Sequence, residues 1–189
     1  QAMLNPEQQA ELIDAIEGLN IPVFLSGMAR GLLGKDHPLQ LRHKRRLALR
    51  EADVVVLLGV PCDFRLDYGS HVRRATLISI NRSAEDLRKN RAPEIGLLAD
   101  PHRCIVRISQ LTSAQENPQW LQTLRQRHDQ REEEIAEMAQ AKVDGINPID
   151  FFQQLDAFLN DESILIGDGG DFVATAAYVL QPRAPYSWL

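Results

Sequence analysis

The residues best suited to ligand chemistry stand directly after predicted strands. The apolar run VVVLL ends at Gly59, and Asp63 and Arg65 follow in a polar loop. The run ATLISI is followed at once by Asn81 and Arg82. Carboxylate and amide oxygens at such positions accept hydrogen bonds from ribose hydroxyls, and a guanidinium pairs with phosphate. The spacing indicates a nucleotide-binding rim, and ordinary loop chemistry at strand ends is the equally weighted alternative.

Small and polar residues elsewhere extend this predicted rim. The complete set of candidate rim residues is Gly27, Met28, Gly59, Asp63, Arg65, Asn81, Arg82 and Asp100. A glycine at a strand end lets a ligand approach the backbone closely. The chain contains no GxGxxG motif, which argues against an NAD-dependent dehydrogenase. A stand-alone adenine-nucleotide-binding domain stays open as an alternative.

A second candidate site is the glycine-rich turn GDGGD at 167–171. It follows a predicted strand at 164–166 and precedes an apolar helix predicted at 173–180. A strand that runs through such a turn into a helix presents backbone N–H groups to an anion. No Lys-Ser/Thr pair follows the glycines, so the turn is not a P-loop. Capping of the helix by Asp171 is the alternative interpretation.

The sequence shows neither a catalytic constellation nor a metal-ligand pattern. The histidines are His37, His43, His71, His102 and His128, and we expect them in loops or on polar faces. Cys62 and Cys104 have no CxxC partner, which argues against a zinc site and a structural disulfide. Both are expected to be small, buried or half-buried thiols. No residue is therefore assigned to catalysis or to metal binding.

Composition is typical of a globular protein. The chain has 189 residues, 44% of them hydrophobic and 25% charged, and a formal net charge of -5. A negative net charge gives no electrostatic reason to expect nucleic acid or an anionic membrane as partner. The sequence has neither an apolar run long enough to span a bilayer nor an N-terminal signal pattern. We therefore expect a cytoplasmic protein.

Short apolar segments alternate with helical segments, which predicts an α/β protein with a Rossmann-like parallel sheet. The predicted strands are 21–25, 54–58, 75–80 and 95–99. The run at 54–58 is rich in β-branched residues, and we expect it to be buried on both faces. Asn5-Pro6, Ser83 and Asp100-Pro101 suit helix N-termini, and the helix after Ser83 should reach about residue 90.

The stretch 39–50 is predicted to be one helix that packs on the sheet. Its basic residues, expected to point outward, are Arg42, Lys44, Arg45, Arg46 and Arg50. Such a cluster can meet phosphates, but a solvated helix face is the favoured interpretation.

The second half of the chain predicts a linker followed by an incomplete α/β unit. A boundary is expected at 112–118, and a long helix at 119–141 has a nearly fully charged middle, typical of a solvated connecting helix. Asn147-Pro148 begins a helix with an apolar stripe that should be core. The stripe comprises Phe151, Phe152, Leu155, Phe158 and Leu159. One strand and two helices do not make a domain, so we expect a segment of a longer polypeptide.

Three stretches together resemble a known family. They are MARGLLGKDHPL, ALREADVVVLLGVPCDFRLDYG and ILIGDGGDFVATAAYVLQPRAPYSWL. They resemble thiamine-diphosphate-dependent enzymes, in particular the acetolactate-synthase-like group that includes the 2-hydroxyacyl-CoA lyases, with oxalyl-CoA decarboxylase more distant. The resemblance implies a central Rossmann-like domain at 1–112 that lacks its first strand. It also implies a linker with a long helix at 113–146 and the start of the thiamine-diphosphate-binding domain at 147–189.

The resemblance implies that the predicted rim holds a nucleotide, which is FAD in acetolactate synthases and ADP in oxalyl-CoA decarboxylase. Asp63 and Arg65 match the GAxxDxR pattern of the FAD-binding members. Asn81 stands where an aspartate is usual, and the glycine- and methionine-rich insert expected after Pro38 is missing. An adenine nucleotide and an empty site therefore stay open beside FAD.

The resemblance also implies that the turn contacts thiamine diphosphate. The aligned residues are Gly169, Gly170, Asp171 and Phe172. The ligands of Mg²⁺ and the activating glutamate of the family fall outside this sequence. The cofactor would support C–C bond formation or cleavage on a 2-oxo acid or a 2-hydroxyacyl-CoA through a thiazolium-stabilised carbanion. The family binds this cofactor between subunits, so a homodimer or homotetramer is expected, and this segment should not be active alone.

Overall fold

Two structural units, each built from two separate stretches of chain, form the computed structural model, which describes residues 1–114 and 116–189. The first unit contains Gln1–Ile21 and Arg45–Glu116. The second contains Pro22–Lys44 and Asn117–Leu189. The predicted boundary at 112–118 includes Gln115, which lies outside the described residues.

The first unit contains a parallel three-stranded sheet in the order β1-β2-β3. Its strands are β1 (Val54–Leu58), β2 (Thr76–Asn81) and β3 (Ile95–Leu98). Parallel pairing aligns Val54 with Thr76 and Ile78 with Ile95, so the carboxyl ends of the strands lie at one edge. The predicted α/β class with a Rossmann-like parallel sheet is therefore confirmed.

The expectation that β1 is buried on both faces is wrong within this unit. Val55 and Leu57 are buried, whereas Val54 is 53% exposed. The two buried residues share one face, because side chains alternate along a strand. They pack in a core cluster with Cys62, Leu66, Val72, Ala75 and Leu77. The predicted burial of Cys62 is thereby confirmed.

The helices of the first unit are α1 (Gln9–Leu19), α2 (Arg45–Glu51), α3 (Ala84–Leu87) and α4 (Pro101–Leu111). Of these, α3 and α4 begin at the predicted caps, Ser83 and Asp100. The side chain of Asn5 accepts the Glu7 N–H and starts a 3-10 turn, Pro6–Gln8, that leads into α1. Asp100 likewise accepts the His102 N–H at the start of α4. The helix after Ser83 is shorter than predicted, since it ends at Leu87.

The prediction of one helix at 39–50 is wrong, because its first half is extended and lies in the second unit. The Val23 N–H donates to the Leu39 carbonyl at 2.8 Å, and the Leu41 N–H donates to the Val23 carbonyl at 2.9 Å. Leu39, Gln40 and Leu41 are all buried in this extended segment. Lys44 adopts φ +55°, which separates this segment from α2. The predicted strand at 21–25 is reduced to this single bridge at Val23.

Three helices form most of the second unit. They are α5 (Pro118–Ala139), α6 (Pro148–Phe158) and α7 (Asp171–Val179). The predicted strand at 164–166 is a single bridge between Leu165 and Trp188. The stripe on α6 is only partly core, since Phe152 is buried but Phe158 is 84% exposed. No helix among the described residues combines the length and the apolar character needed to cross a bilayer.

The interpretation of α5 as a solvated connecting helix is also wrong. Leu124, His128 and Ile135 are buried along one face of this helix. Ile135 packs in a core cluster with Ile149, Phe152, Ala176, Val179, Leu180 and Trp188. The sequence does not show this buried face clearly, because few of its residues are apolar and one of them, His128, is polar.

Candidate cofactor contacts and a buried histidine cluster

Four of the predicted rim residues meet around the side chain of Gln1 in the first unit. Gln1 Nε2 donates to Asn81 Oδ1 at 2.9 Å, and the Arg82 N–H donates to Gln1 Oε1 at 3.0 Å. The Arg82 guanidinium in turn pairs with the Asp100 carboxylate. Gly59 has φ +70°, and a Cβ there would lie 2.5 Å from Gln1 Cβ. The positive φ and the close approach of Gln1 both favour glycine at position 59.

Asn81 is the most enclosed of these residues. It is fully buried, and its Oδ1 also accepts the Ser83 N–H at 2.9 Å. Its Nδ2 has no hydrogen-bond partner among the described residues. A buried amide donor without a partner is costly, so it favours an acceptor at this edge of the sheet. The asparagine side chain can donate a hydrogen bond here, whereas the carboxylate of an aspartate can only accept one.

Asp63 and Arg65 form an ion pair with each other within their loop. Arg65 Nη2 donates to Asp63 Oδ2 at 2.6 Å, and Arg65 Nε donates to Asp63 Oδ1 at 3.0 Å. The hydrogen bond lowers the pKa of Asp63 and raises the pKa of Arg65. The Arg45 guanidinium donates to the Arg65 carbonyl at 2.8 Å. The guanidinium of Arg65 is therefore already paired with a carboxylate.

Gly27 and Met28 lie in the second unit, within a short 3-10 turn, Gly27–Ala29. Gly27 has φ +54° and no atom within 4 Å of its would-be Cβ, and Met28 is 50% exposed. The predicted rim residues thus divide between units, with these two in the second and the other six in the first.

The glycine-rich turn leads into α7 and is open to solvent. Gly169, Gly170, Asp171 and Phe172 are all exposed. Gly170 is the N-cap, with φ +93°, and no side chain caps the helix, so capping by Asp171 is not observed. The Phe172 ring packs 4.6 Å from the ring of Phe152. The first N–H groups of α7 therefore face outward, in the arrangement that suits a diphosphate.

A buried histidine cluster, which the sequence did not reveal, lies in the second unit. We define it as Arg42, His43, His128 and Glu132. His43 Nε2 lies 3.0 Å and His128 Nε2 lies 3.5 Å from the same Glu132 oxygen, and the two rings are 5.1 Å apart. The Arg42 guanidinium also pairs with this oxygen and donates to the Leu180 carbonyl at 3.0 Å. The expectations of an outward Arg42 and of histidines on polar surfaces are wrong for these residues.

The electrostatics of the histidine cluster follow from its burial. Burial lowers the pKa of His128 to about 4. Burial would by itself raise the pKa of Glu132, but the His43 hydrogen bond and the Arg42 guanidinium lower it to about 2. Glu132 is therefore ionised and His128 neutral at neutral pH.

The three donor atoms of His43, His128 and Glu132 lie within 4.8 Å of one another, as in a metal site. However, Arg42 already occupies the carboxylate oxygen that a cation would need. Its backbone N–H also donates to His128 Nδ1 at 3.3 Å, which places the ring proton on Nε2, the atom facing the carboxylate. The arrangement is that of a hydrogen-bonded ion pair. The i, i+4 spacing of His128 and Glu132 on α5 is the one sequence signal of this cluster, and His43 comes from a distant segment.

A cavity of about 310 Å³ adjoins the cluster. Gln40, His128 and Glu132 are among the residues that line it. Gln40 is buried, its Nε2 donates to the Gly34 carbonyl at 3.0 Å, and its Oε1 has no partner among the described residues. The cavity is therefore lined by polar groups and has room for water.

Comparisons with known proteins identify the family of this chain. The family described as "Thiamine pyrophosphate enzyme, central domain" matches residues 2–108. The 2-hydroxyacyl-CoA lyase 2 of Caenorhabditis elegans is 41% identical over 199 residues, which cover 100% of this chain and 31% of that protein. The 2-hydroxyacyl-CoA lyase 2 of Homo sapiens is 40% identical over 196 residues, which cover 100% of this chain and 31% of that protein.

A second kind of relative is more distant. The acetolactate synthase large subunit IlvG of Mycobacterium tuberculosis is 30% identical over 183 residues, which cover 96% of this chain and 33% of that protein. The chain thus spans about a third of the length of the curated relatives that it matches. The family match covers more than half of the chain, and this chain therefore belongs to the thiamine pyrophosphate enzymes and contains their central domain.

Proposed function

We propose that the protein containing this chain forms or cleaves a C–C bond beside a carbonyl group with the help of thiamine diphosphate. The observation that carries this proposal is that relatives named lyases and relatives named acetolactate synthases both align with almost the whole chain. Their names define two candidate activities, carboligation of a 2-oxo acid and cleavage of a 2-hydroxyacyl-CoA. Thiamine diphosphate supplies an electron sink for either reaction when it is bound.

In this proposal the segment holds cofactors and positions them. Residues 1–112 serve as the central domain, 113–146 as a linker, and 147–189 as the start of the domain that binds thiamine diphosphate. The turn at 169–172 fits the diphosphate, because it is exposed and has a glycine N-cap with positive φ. Mg²⁺ accompanies the cofactor, and we assign no ligand of it to this chain.

The rim of the sheet is the proposed site for FAD or an ADP-type nucleotide. The partnerless Nδ2 of Asn81 supports this proposal, since it needs an acceptor. Arg65 is paired with Asp63 and Arg82 with Asp100, so the amide of Asn81 is the rim group that needs an acceptor. Denaturing the purified full-length enzyme and analysing the released small molecules tests this site. Release of a flavin or an adenine nucleotide supports it, and release of neither refutes it.

The activity is tested by assaying the full-length enzyme with pyruvate and, separately, with a 2-hydroxyacyl-CoA. Acetolactate formation supports the synthase activity, and release of an aldehyde supports the lyase activity. Failure of both reactions in the presence of thiamine diphosphate and Mg²⁺ contradicts the proposal. We also propose a cytoplasmic homodimer or homotetramer, which light scattering and cell fractionation check.

The turn is tested by placing a negative charge beside the predicted diphosphate. A Cβ at Gly169 meets no atom within 4 Å, so Gly169→Asp should fold normally. We expect it to weaken thiamine diphosphate binding about tenfold or more, because two negative charges then approach each other. Gly18→Asp is the matched control, since Gly18 is also exposed and without close neighbours. Equal affinities of the two variants would rule out this contact.

A further inference from the structure

The histidine cluster joins an extended segment of the second unit to two of its helices. Arg42 and His43 reach Glu132 on α5, and Arg42 also donates to carbonyl groups at the C-terminal end of α7. Arg125, one further residue of α5, donates to the Gln40 carbonyl at 3.3 Å. Charged and polar groups thus contribute to holding the segment around residues 37–43 on α5.

We propose that the histidine cluster is an acid-sensitive clamp that releases this segment when His128 gains a proton. At neutral pH one carboxylate, that of Glu132, faces one guanidinium and two buried imidazole rings. The side chain of His43 is 5% exposed and that of His128 is 11% exposed. A proton on His128 adds a positive charge close to the Arg42 guanidinium, and burial limits the solvation of this charge by water.

The surroundings of His128 oppose its protonation. The charged and titratable groups around its ring are Arg42, His43, Arg125 and Glu132, and the adjoining cavity is also lined by Lys35, Asp36 and Asp129. The Glu132 carboxylate favours the proton, whereas Arg42, Arg125 and His43 oppose it. Burial acts in the same direction as these three groups. The docked state therefore requires a neutral ring.

The pH range follows from the direction of the pKa shift. The pKa of His128 is about 4 in the folded protein and 6.5 for an ordinary histidine. Because the folded value is lower, the docked state is fully stable above pH 6.5 and is weakened as the pH falls toward 4. The population of the released state should rise on the order of 100-fold between these limits. Protonation of Glu132, whose pKa is about 2, lies below this range.

Hydrogen exchange of the full-length protein tests the clamp. The Arg42 N–H donates to His128 Nδ1 on α5, so the Arg42 amide reports docking. The Leu41 N–H donates to the Val23 carbonyl within the same stretch of chain and serves as an internal reference. We expect the protection of the Arg42 amide, corrected for intrinsic exchange rates, to fall between pH 6.5 and pH 4. His128→Asn should abolish this pH dependence. Gln130→Asn introduces the same residue at an exposed position of α5 and should retain it.

A second measurement keeps the proposal testable if His128→Asn fails to fold. The His128 ring of the unmodified protein is titrated by nuclear magnetic resonance, and a pKa well below 6.5 supports the clamp. A pKa at or above 6.5 overturns it, as does protection that does not change with pH. Stoichiometric binding of Zn²⁺ that shifts both ring resonances also overturns it, since the cluster would then be a metal site.

Discussion

Replacing Gly31 by alanine adds only one methyl group but should strongly destabilise the second unit. Gly31 has φ +84°, and a Cβ built on it would lie 2.3 Å from the Ala184 carbonyl oxygen and 3.0 Å from Ser187 Oγ. The backbone conformation costs an alanine about 1–2 kcal/mol. Relieving so short a contact requires the backbone at Ala184 to move, which costs a further ~1–3 kcal/mol. We expect a loss of about 4 kcal/mol in the free energy of unfolding.

Gly34→Ala is the matched control for this prediction. Gly34 has φ +76°, close to that of Gly31, but the nearest atom to its would-be Cβ is the Arg183 carbonyl oxygen at 3.8 Å. Its cost should be limited to the backbone conformation, about 1–2 kcal/mol. Urea unfolding of both variants measures the difference in their free energies of unfolding, provided that the dependence of this energy on urea concentration is the same for both. If Gly31→Ala proves no more destabilising than Gly34→Ala, the close approach of residues 31 and 184 is refuted.

Three further outcomes are expected. Asp156→Asn should lower stability by about 3 kcal/mol in urea unfolding, because Asp156 and Arg183 form an ion pair in which each side chain is only 14% exposed. Leu77→Ala should cost about 3 kcal/mol in the same assay, since Leu77 is 1% exposed in the core of the first unit. Hydrogen bonding to Arg65 lowers the pKa of Asp63 from 3.8, so the stability it adds is complete above that pH and is lost as the pH falls below it. Asp63→Asn should flatten this acid dependence of the unfolding free energy.

Local signals in the sequence predicted most helix starts and the sheet. Asn5, Asp100 and Asn147 each accept backbone N–H groups at the helix starts that they were predicted to cap. These contacts join residues two or three positions apart, so the sequence contains both partners. The strands β1, β2 and β3 were likewise predicted from short apolar runs, which need no knowledge of distant residues.

The errors arose where distant residues decide the structure. The stretch 39–44 contains leucines and basic residues that suit a helix, but pairing with Val23 makes it extended. His43 and His128 are more than eighty positions apart, and their meeting follows from this docking rather than from any local pattern. The division of Gly27 and Met28 from the other rim residues has the same origin, because residues 22–44 belong to the second unit.

The interleaving of the two units has a consequence for synthesis on the ribosome. The segment Pro22–Lys44 is synthesised before the rest of the second unit, which begins at Asn117. At roughly 5–20 residues per second, the intervening stretch of chain takes on the order of 4–15 s to translate. During that interval α5, α6 and α7 have not yet been synthesised, so Pro22–Lys44 waits without the remainder of its unit and is open to binding by a chaperone. Single-site truncation therefore cannot isolate either unit, and the second unit completes its fold only after Asn117–Leu189 has been synthesised.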